Sequence, residues 1–371
     1  MRILQLVSCR GWSSDAYLAA RVSSELARRG HEVWLGCRRG TEARVIERAR
    51  AEGVDRIEVF EFRGGAAPAA DVADVHRLLG WLPKVDVVHV HRGKEHWLAA
   101  VANRLSGTPR PLVRTRHIVQ AVRPHAANRW LYRRATALVH TVSETIRQQY
   151  VASGLVTADR AVALPGGVDA ARYQPAPADV RLRSRLGADG RSLLVGLVAG
   201  LRVMKGHHVV IEAAAGLTEA SDRIRFAFVG TGSQETRIRA TLERQGLGGR
   251  ILLAGFAEDL PALLGALDVA LYVPLESEGM SRVVFEYLAA ARPLIAARVG
   301  IVPEILRDRA HALLVPGGDA AALREALVEL RGDVELRLRL GAAGRALVLE
   351  RYSGQRLAES LEWHYARLGA G

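Results

Sequence analysis

The chain has 371 residues, 49% of them hydrophobic, and a formal net charge of +13. That length suits two domains of ordinary size, and the apolar content suits packed cores and excludes a disordered chain. No apolar run reaches the ~18–20 residues of a membrane span, and two cysteines, Cys9 and Cys37, give neither a disulfide framework nor metal spacing.

In chain order, hydrophobic periodicity predicts a strand over 2–8 and an amphipathic helix over 15–29, closed by Gly30. A strand follows over 31–37, a helix over 41–51, a strand over 56–62, a loop over 64–70 and a helix over 72–82. The series goes on with strand 85–91, helix 94–105, strand 112–116 and a short basic helix over 124–134. Strand 137–142, helix 143–153 capped by Ser143, and strand 160–164 complete it. Pro165, Gly166, Gly167, Pro175 and Pro177 then break the rhythm and mark a linker.

A second alternating series runs through strand 193–199, helix 205–217, strand 224–229, helix 233–245, strand 251–254, helix 260–266 and strand 269–273. A helix opening near Ser281, strand 294–297, helices from Val302 onward, and helical stretches over 320–331, 333–351 and 355–368 close the chain. Regular alternation of this kind predicts parallel sheets with helices on both faces. The fold class is therefore α/β: two doubly wound, Rossmann-like domains facing a cleft, over 1–175 and 176–352. A closing helical segment, 353–371, is able to cross back to the first domain. A cleft between domains is a favoured ligand site.

The charge is lopsided. Residues 1–185 carry 30 Lys+Arg against 17 Asp+Glu, and residues 186–371 carry 22 of each. A one-sided basic field predicts an anionic partner, either a phosphorylated substrate, an anionic lipid surface or nucleic acid. Met1-Arg2 runs straight into Ile3-Leu4-Gln5-Leu6-Val7 without signal-peptide architecture, so a reducing cytoplasm is the expected home.

Four strand-end turns in the second series carry chemistry. In Leu275-Glu276-Ser277-Glu278-Gly279-Met280-Ser281-Arg282, Gly279 and Ser281 stand at the entry to a helix whose free N–H groups would face a ligand. Glu278 and Glu286 frame that entry, eight residues or about 12 Å apart along a helix, roughly the sugar-to-ribose length of a nucleotide sugar. The plain alternative is a capped surface helix with an acidic entry. Arg202 and Lys205, in Val198-Ala199-Gly200-Leu201-Arg202-Val203-Met204-Lys205-Gly206, can meet a diphosphate or can be a solvated pair. Gly230 and Gly232 in Val229-Gly230-Thr231-Gly232 allow close backbone approach. Phe256 and Glu258, after Gly255, could hold a base, unless Phe256 is simply core.

Taken in order, these turns resemble the family-4 retaining glycosyltransferases of the GT-B fold. The resemblance runs over nearly the whole chain, from Arg29-Gly30-His31-Glu32-Val33 to the 350–356 tail. It is strongest in the Glu-x7-Glu signature from Glu278 to Glu286, in Ala290-Ala291-Arg292-Pro293-Leu294-Ile295 and in Val299-Gly300-Ile301-Val302-Pro303-Glu304. It implies that Glu286 binds the donor ribose, that Glu278 and the Gly279, Met280 and Ser281 backbone face the donor sugar, and that Lys205 stabilises the leaving diphosphate. It also implies that Gly230 and Gly232 lie close to the donor and Phe256 and Glu258 near the base. In the first domain, His117 in Arg114-Thr115-Arg116-His117 matches a histidine beside the reacting sugar. The family's paired-glycine loop after the first strand keeps only Gly11, an expected donor contact. Gly200 stands where an arginine is usual, with Arg202 two residues on, and Thr231 stands where an aspartate is usual.

The resemblance implies a hexosyltransferase-like enzyme that needs no cofactor or metal: front-face attack, with the leaving phosphate taking the acceptor proton. His89, His91 and His96 suggest zinc, but no cysteine or carboxylate set completes such a site. The first domain would bind acceptor, so its charge predicts an anionic glycan, glycolipid or phosphorylated acceptor, with Arg114, Arg116 and His91 as anion ligands. Arg123, Arg129, Arg133 and Arg134, interleaved with Trp130, Leu131 and Tyr132, suggest a peripheral contact with the inner face of an anionic plasma membrane. Details of the Glu278 and Glu286 stretches look most like bacterial members that build lipopolysaccharide or other envelope glycans. Two rival readings are a sugar-nucleotide epimerase or phosphorylase of the same fold, and a nucleic-acid binder. The Glu-x7-Glu loop speaks against the first. Against the second stand the absence of any nucleic-acid module and an aromatic content of 5%.

Overall fold

A computed structural model of the chain describes residues 1–41, 43–218, 223–277 and 279–369. These form two compact units, Met1–Gly167 with Tyr352–Gly371, and Val168–Arg351.

The first unit contains, in chain order, β1 Arg2–Val7, α1 Ser14–Arg28, β2 Glu32–Arg38, α2 Ala43–Ala51, β3 Ile57–Phe60 and α3 Pro68–Trp81. Next come β4 Val87–Val90, α4 Gly93–Leu105, β5 Leu112–Arg116, α5 Ala126–Trp130, β6 Leu138–Thr141, α6 Glu144–Ala152 and β7 Ala161–Ala163. Its seven strands are all parallel, in the order β3-β2-β1-β4-β5-β6-β7. Strands buried on both faces need near-continuous apolar runs, and Ile3, Leu4, Leu6, Val87, Val88 and Val90 supply them.

The second unit contains α7 Val180–Arg185, β8 Leu193–Val198, α8 His207–Ala215, β9 Ile224–Val229, α9 Glu235–Arg244, β10 Ile251–Gly255, α10 Leu260–Ala266 and β11 Val269–Tyr272. It continues with α11 Arg282–Ala289, β12 Leu294–Ala297, α12 Val302–Ile305, β13 Leu313–Val315, α13 Ala320–Gly332 and α14 Val334–Leu347. Its six parallel strands run β10-β9-β8-β11-β12-β13 around a core that includes Val195, Leu197, Phe226, Phe228 and Leu271. The closing helix, α15 Gly354–Gly369, belongs to the first unit and packs on α1. Arg29 pairs there with Glu362 and Glu359, and His31 Nε2 lies 3.0 Å from Glu362.

The differences from the sequence reading have local causes. α3 begins at Pro68, inside the stretch read as loop 64–70, because proline is pre-set for the first helical turn. The helix read from Lys205 starts instead at His207, since Gly206 takes a left-handed φ of 75° after a turn of 3-10 helix over Val203–Lys205. β13 and α7 were not anticipated; with three and six residues they are too short to show a period.

Candidate functional site

In the second sheet the strand order reverses between β8 and β11, and a doubly wound sheet takes its ligand where the loops part at such a point. The loops leaving these two strands are tied together. Leu275 N donates to Met204 O at 2.9 Å. A Cβ at Gly206 would stand 1.9 Å from the Val273 carbonyl oxygen, so only glycine fits there. The loop after β9 joins them: Leu201 N donates to Thr231 O, and Gln234 N to Leu201 O, both at 3.0 Å. A Cβ at Gly230 would fall 2.1 Å from Ala199 O, and one at Gly232 2.5 Å from Leu201 O. These two glycines thus brace one loop against another, a service the sequence could not show.

Helix starts in the second unit divide into two kinds. Asp179, Asp259, Asp319 and Asp333 cap α7, α10, α13 and α14 with a side-chain oxygen. α8, α9 and α11 open at Gly206, Gln234 and Ser281 with no side-chain cap from any described residue, as does the four-residue α12. The uncapped first turns after β8, β9 and β11 leave N–H groups and positive helix ends for an outside acceptor.

Side chains complete the arrangement. Lys205 is half-buried at the end of its turn and Arg202 is exposed. Arg202 Nε lies 3.8 Å from where a Cβ at Gly200 would begin. Glu286 is 1% exposed in α11, and Arg282 Nε, one turn back, lies 2.8 Å from its Oε1. Burial and the neighbouring Glu286 charge push the Tyr173 hydroxyl pKa upward. Met280 and Ser281 are buried, and Gly279 has a φ of 86°. Glu278 lies outside the described residues. Phe256 is 56% exposed, which rules out the core alternative, and Glu258 is exposed beside it. His207 was overlooked in the sequence. It is buried at the start of α8 with neither ring nitrogen bonded to a described residue, and burial pushes its pKa down to about 4.

In the first sheet the order reverses between β1 and β4. Gly11 lies in the loop after β1, but Ser13 already caps α1 by accepting from Ala16 N at 3.4 Å. Ser13 thus takes one of the N–H groups of the helix start behind Gly11. Glu95, fully buried, accepts from Arg92 N at 2.6 Å and Ser8 N at 3.3 Å, and burial raises its pKa. Arg114 is 3% exposed, and its Nε and Nη1 have no partner among the described residues. Arg116 donates to the Gln120 carbonyl and sits 5.9 Å from the Tyr150 ring centre. His117 is half-buried just past β5; its Nε2 lies 3.2 Å from His91 Nδ1, and its own Nδ1 has no partner among the described residues.

His91 needs correction as an anion ligand. It is buried, and both ring nitrogens are engaged, the second with Gln5 Oε1 at 2.8 Å, so it stands behind His117. The other two histidines of the zinc reading are likewise committed, His89 to Tyr365 and Thr115, His96 to Thr136. Among the described residues no group of three or more His, Cys, Asp or Glu side chains is arranged to hold a metal ion. Of the apolar residues interleaved with arginines, Leu131 and Tyr132 turn into the core, and Trp130 stacks on Trp97 at 6.0 Å.

Residues 16–172 match the family model described as Glycosyltransferase Family 4, and residues 192–333 match Glycosyl transferases group 1. The D-inositol 3-phosphate glycosyltransferase of Xylanimonas cellulosilytica is 28% identical over 366 residues, covering 88% of this chain and 85% of that protein. The EpsD protein of Bacillus subtilis is 32% identical over 197 residues, 53% of this chain; the chain spans about half of that relative, 51%. The crystal structure of Anabaena HepE in complex with UDP has the same fold, with a TM-score of 0.85 at 19% identity over 99% of this chain and 100% of that one.

Burial lowers the pKa of His89, His91, His96 and His117 well below 6.5, and that of His140 to about 4. In the unfolded chain each would take a proton near pH 6.5, whereas the folded unit resists it. Stability is therefore complete above pH 6.5 and falls as pH drops toward 4, by about 1 kcal/mol per pH unit for each such group. Thermal melts between pH 7.5 and 5 should show a steep fall in the melting temperature of the first unit. A flat profile would show that these imidazoles are already charged or hydrated.

Proposed function

We propose that this chain, which belongs to the family 4 glycosyltransferases and has their GT-B fold, moves a sugar from a nucleotide-sugar donor to a hydroxyl of an anionic acceptor with retention of configuration. The observation that carries the reading is the reversal point of the second sheet, where the two parting strands are followed by the uncapped starts of α8, just after Lys205, and of α11, the helix of the buried Glu286 carboxylate.

Each group has work it can do. The uncapped N–H groups of α8, α9 and α11 bind the diphosphate, and Lys205 neutralises charge as the leaving group departs. Arg202 supplies the cation that Gly200 lacks. Glu286, held by Arg282, accepts both hydrogen bonds of a ribose diol. Glu278 and the Gly279–Ser281 backbone bind the sugar, while Phe256 and Glu258 offer a ring face and a carboxylate to the base. UDP is the first nucleotide to try, because a structure of the same fold binds it. Attack comes from the face the phosphate leaves, and that phosphate accepts the proton. Helix starts and lysine supply the neutralising charge, so the reading calls on no metal and no cofactor.

The acceptor side belongs to the first unit, which holds 28 Lys+Arg against 17 Asp+Glu. Arg114 offers a phosphate or carboxylate buried N–H groups that have no partner among the described residues. The phosphorylated substrate named for the Xylanimonas relative has this chemistry. The same unit has a membrane-compatible surface: Trp97, Val101 and Leu105 recur every fourth residue along α4, Val101 and Leu105 are exposed, and exposed Arg104, Arg129 and Arg134 accompany them. No helix among the described residues is long and apolar enough to cross a membrane. Such a surface suits a glycolipid acceptor of an envelope glycan at an anionic inner membrane face.

Two measurements check this. In thermal-shift titrations with UDP, GDP, ADP and TDP, one nucleotide should stabilise the chain, and Glu286→Ala should weaken its binding by roughly tenfold or more. Lys205→Ala should lower kcat more than it changes binding. Stabilisation by none of the four would remove the donor reading. In liposome flotation, the chain should rise with anionic vesicles at low salt and not with zwitterionic ones, and Leu105→Glu should abolish it. Equal behaviour with both lipids would remove the membrane surface.

A further inference from the structure

A row of polar side chains crosses a buried face of the first sheet. Gln5 pairs with His89 across β1 and β4, and Thr115 with His140 across β5 and β6. His91 and His117 lie two residues beyond His89 and Thr115, and so on the same face. Tyr365 of α15, fully buried, reaches this row. The links are continuous. His140 Nε2 meets the Leu164 carbonyl at 2.9 Å, and His140 Nδ1 meets Thr115 Oγ1 at 2.9 Å. Thr115 Oγ1 meets His89 Nε2 at 2.5 Å, and His89 Nδ1 meets the Tyr365 hydroxyl at 2.5 Å. Gln5 Nε2 reaches that hydroxyl at 3.5 Å, Gln5 Oε1 meets His91 Nε2 at 2.8 Å, and His91 Nδ1 meets His117 Nε2 at 3.2 Å.

Each link uses one hydrogen, and the Leu164 end decides who gives it. A carbonyl only accepts, so His140 carries its proton on Nε2. Buried imidazoles without a carboxylate partner stay neutral, which leaves His140 Nδ1 bare. Thr115 must then donate to it, and the Thr115 oxygen must accept from His89 Nε2–H. His89 Nδ1 is bare and takes the Tyr365 hydrogen. The Tyr365 oxygen accepts from the Gln5 amide, which turns Gln5 Oε1 toward His91. That oxygen accepts from His91 Nε2–H, so His91 Nδ1 is bare and His117 Nε2 must donate. The last lone pair of the row is His117 Nδ1, the atom with no partner among the described residues.

We propose that Gln5, His89, His91, Thr115, His140 and Tyr365 are positioning residues that lock His117 as its Nε2–H tautomer and present Nδ1 as a hydrogen-bond acceptor for a sugar hydroxyl. The tautomer follows from the row alone; the hydroxyl rests on the glycosyltransferase reading above. His117 is then a fixed acceptor and never a proton store, and the closing helix takes part in the chemistry through one phenol.

Two-bond nitrogen–proton NMR spectra of 15N-histidine-labelled protein test this. The wild type should show His89, His91, His117 and His140 neutral and Nε2-protonated. Tyr365→Phe keeps the ring but frees the Gln5 amide to turn, so His91 and His117 should become tautomer mixtures while His140 stays unchanged. Gln5→Met breaks the same link from the sheet side and should do likewise. Thr115→Ser keeps the hydroxyl and should keep every tautomer. With donor and acceptor supplied, Tyr365→Phe should lower kcat about tenfold with little change in donor KM, and Thr115→Ser alone should keep the wild-type value. Nδ1 protonation of His117 in the wild type, or an unaltered His117 signal in both Tyr365→Phe and Gln5→Met, would overturn the tautomer assignment. Tautomer mixing with unchanged kcat would overturn the positioning role. If the wild type turned over no nucleotide sugar, the glycosyltransferase reading would fall while the NMR result still decided the tautomer.

Discussion

The second unit depends on one close approach, Gly206 against the carbonyl of Val273. With 1.9 Å between that oxygen and any Cβ built at the glycine, the loop leaving β8 can lie on the loop leaving β11 only if residue 206 has no side chain. That contact sets where Lys205 stands and where α8 begins. It places the uncapped starts of α8 and α11 on either side of the sheet's reversal point. Gly230 and Gly232 extend the same device to the loop after β9. A rigid set of helix ends results, and rigidity matters because electrostatic stabilisation of a leaving group works only if the dipoles need not reorganise.

The first unit solves a different problem. A parallel sheet covered on both faces ordinarily holds only apolar side chains, yet four adjacent strands here carry Gln5, His89, His91, Thr115, His140 and, at the edge, His117. Such a row is costly unless every member finds a partner. All do except at its His117 end, which lies at the strand termini where ligands bind. Arg114, one residue from Thr115 and so on the other face of β5, and Glu95 are also incompletely bonded, with Arg114 Nε and Nη1 and Glu95 Oε2 lacking partners among the described residues.

Much of this was legible in the residues. Alternation of apolar runs and amphipathic stretches predicts both parallel sheets, and Lys205 and His117 follow strand ends, with Glu286 in the helix after β11, because the chain order puts them there. The two-residue spacing of His89 and His91 shows that they share a face. Periodicity carries no information about what lies opposite: Tyr365, which closes the row, is 276 residues from His89. Nor does it show that Leu131 and Tyr132 turn inward while Trp130 does not, since a short basic helix that widens into a π turn over Leu131–Ala135 changes face within a residue or two. The glycines of the β9 loop point to a close donor contact, and the structure adds a close contact with the loop after β8, because glycine reports closeness without saying to what. His207 was overlooked because a histidine at a helix start has no distinctive pattern.

Hydrogen–deuterium exchange, with and without the nucleoside diphosphate that raises the melting temperature, tests the central claim most directly. If the braced helix starts of the second unit hold the donor, protection should appear in the loops 199–206 and 229–234 and across the start of α11. Protection absent from those segments, or confined to the first unit, would contradict the account.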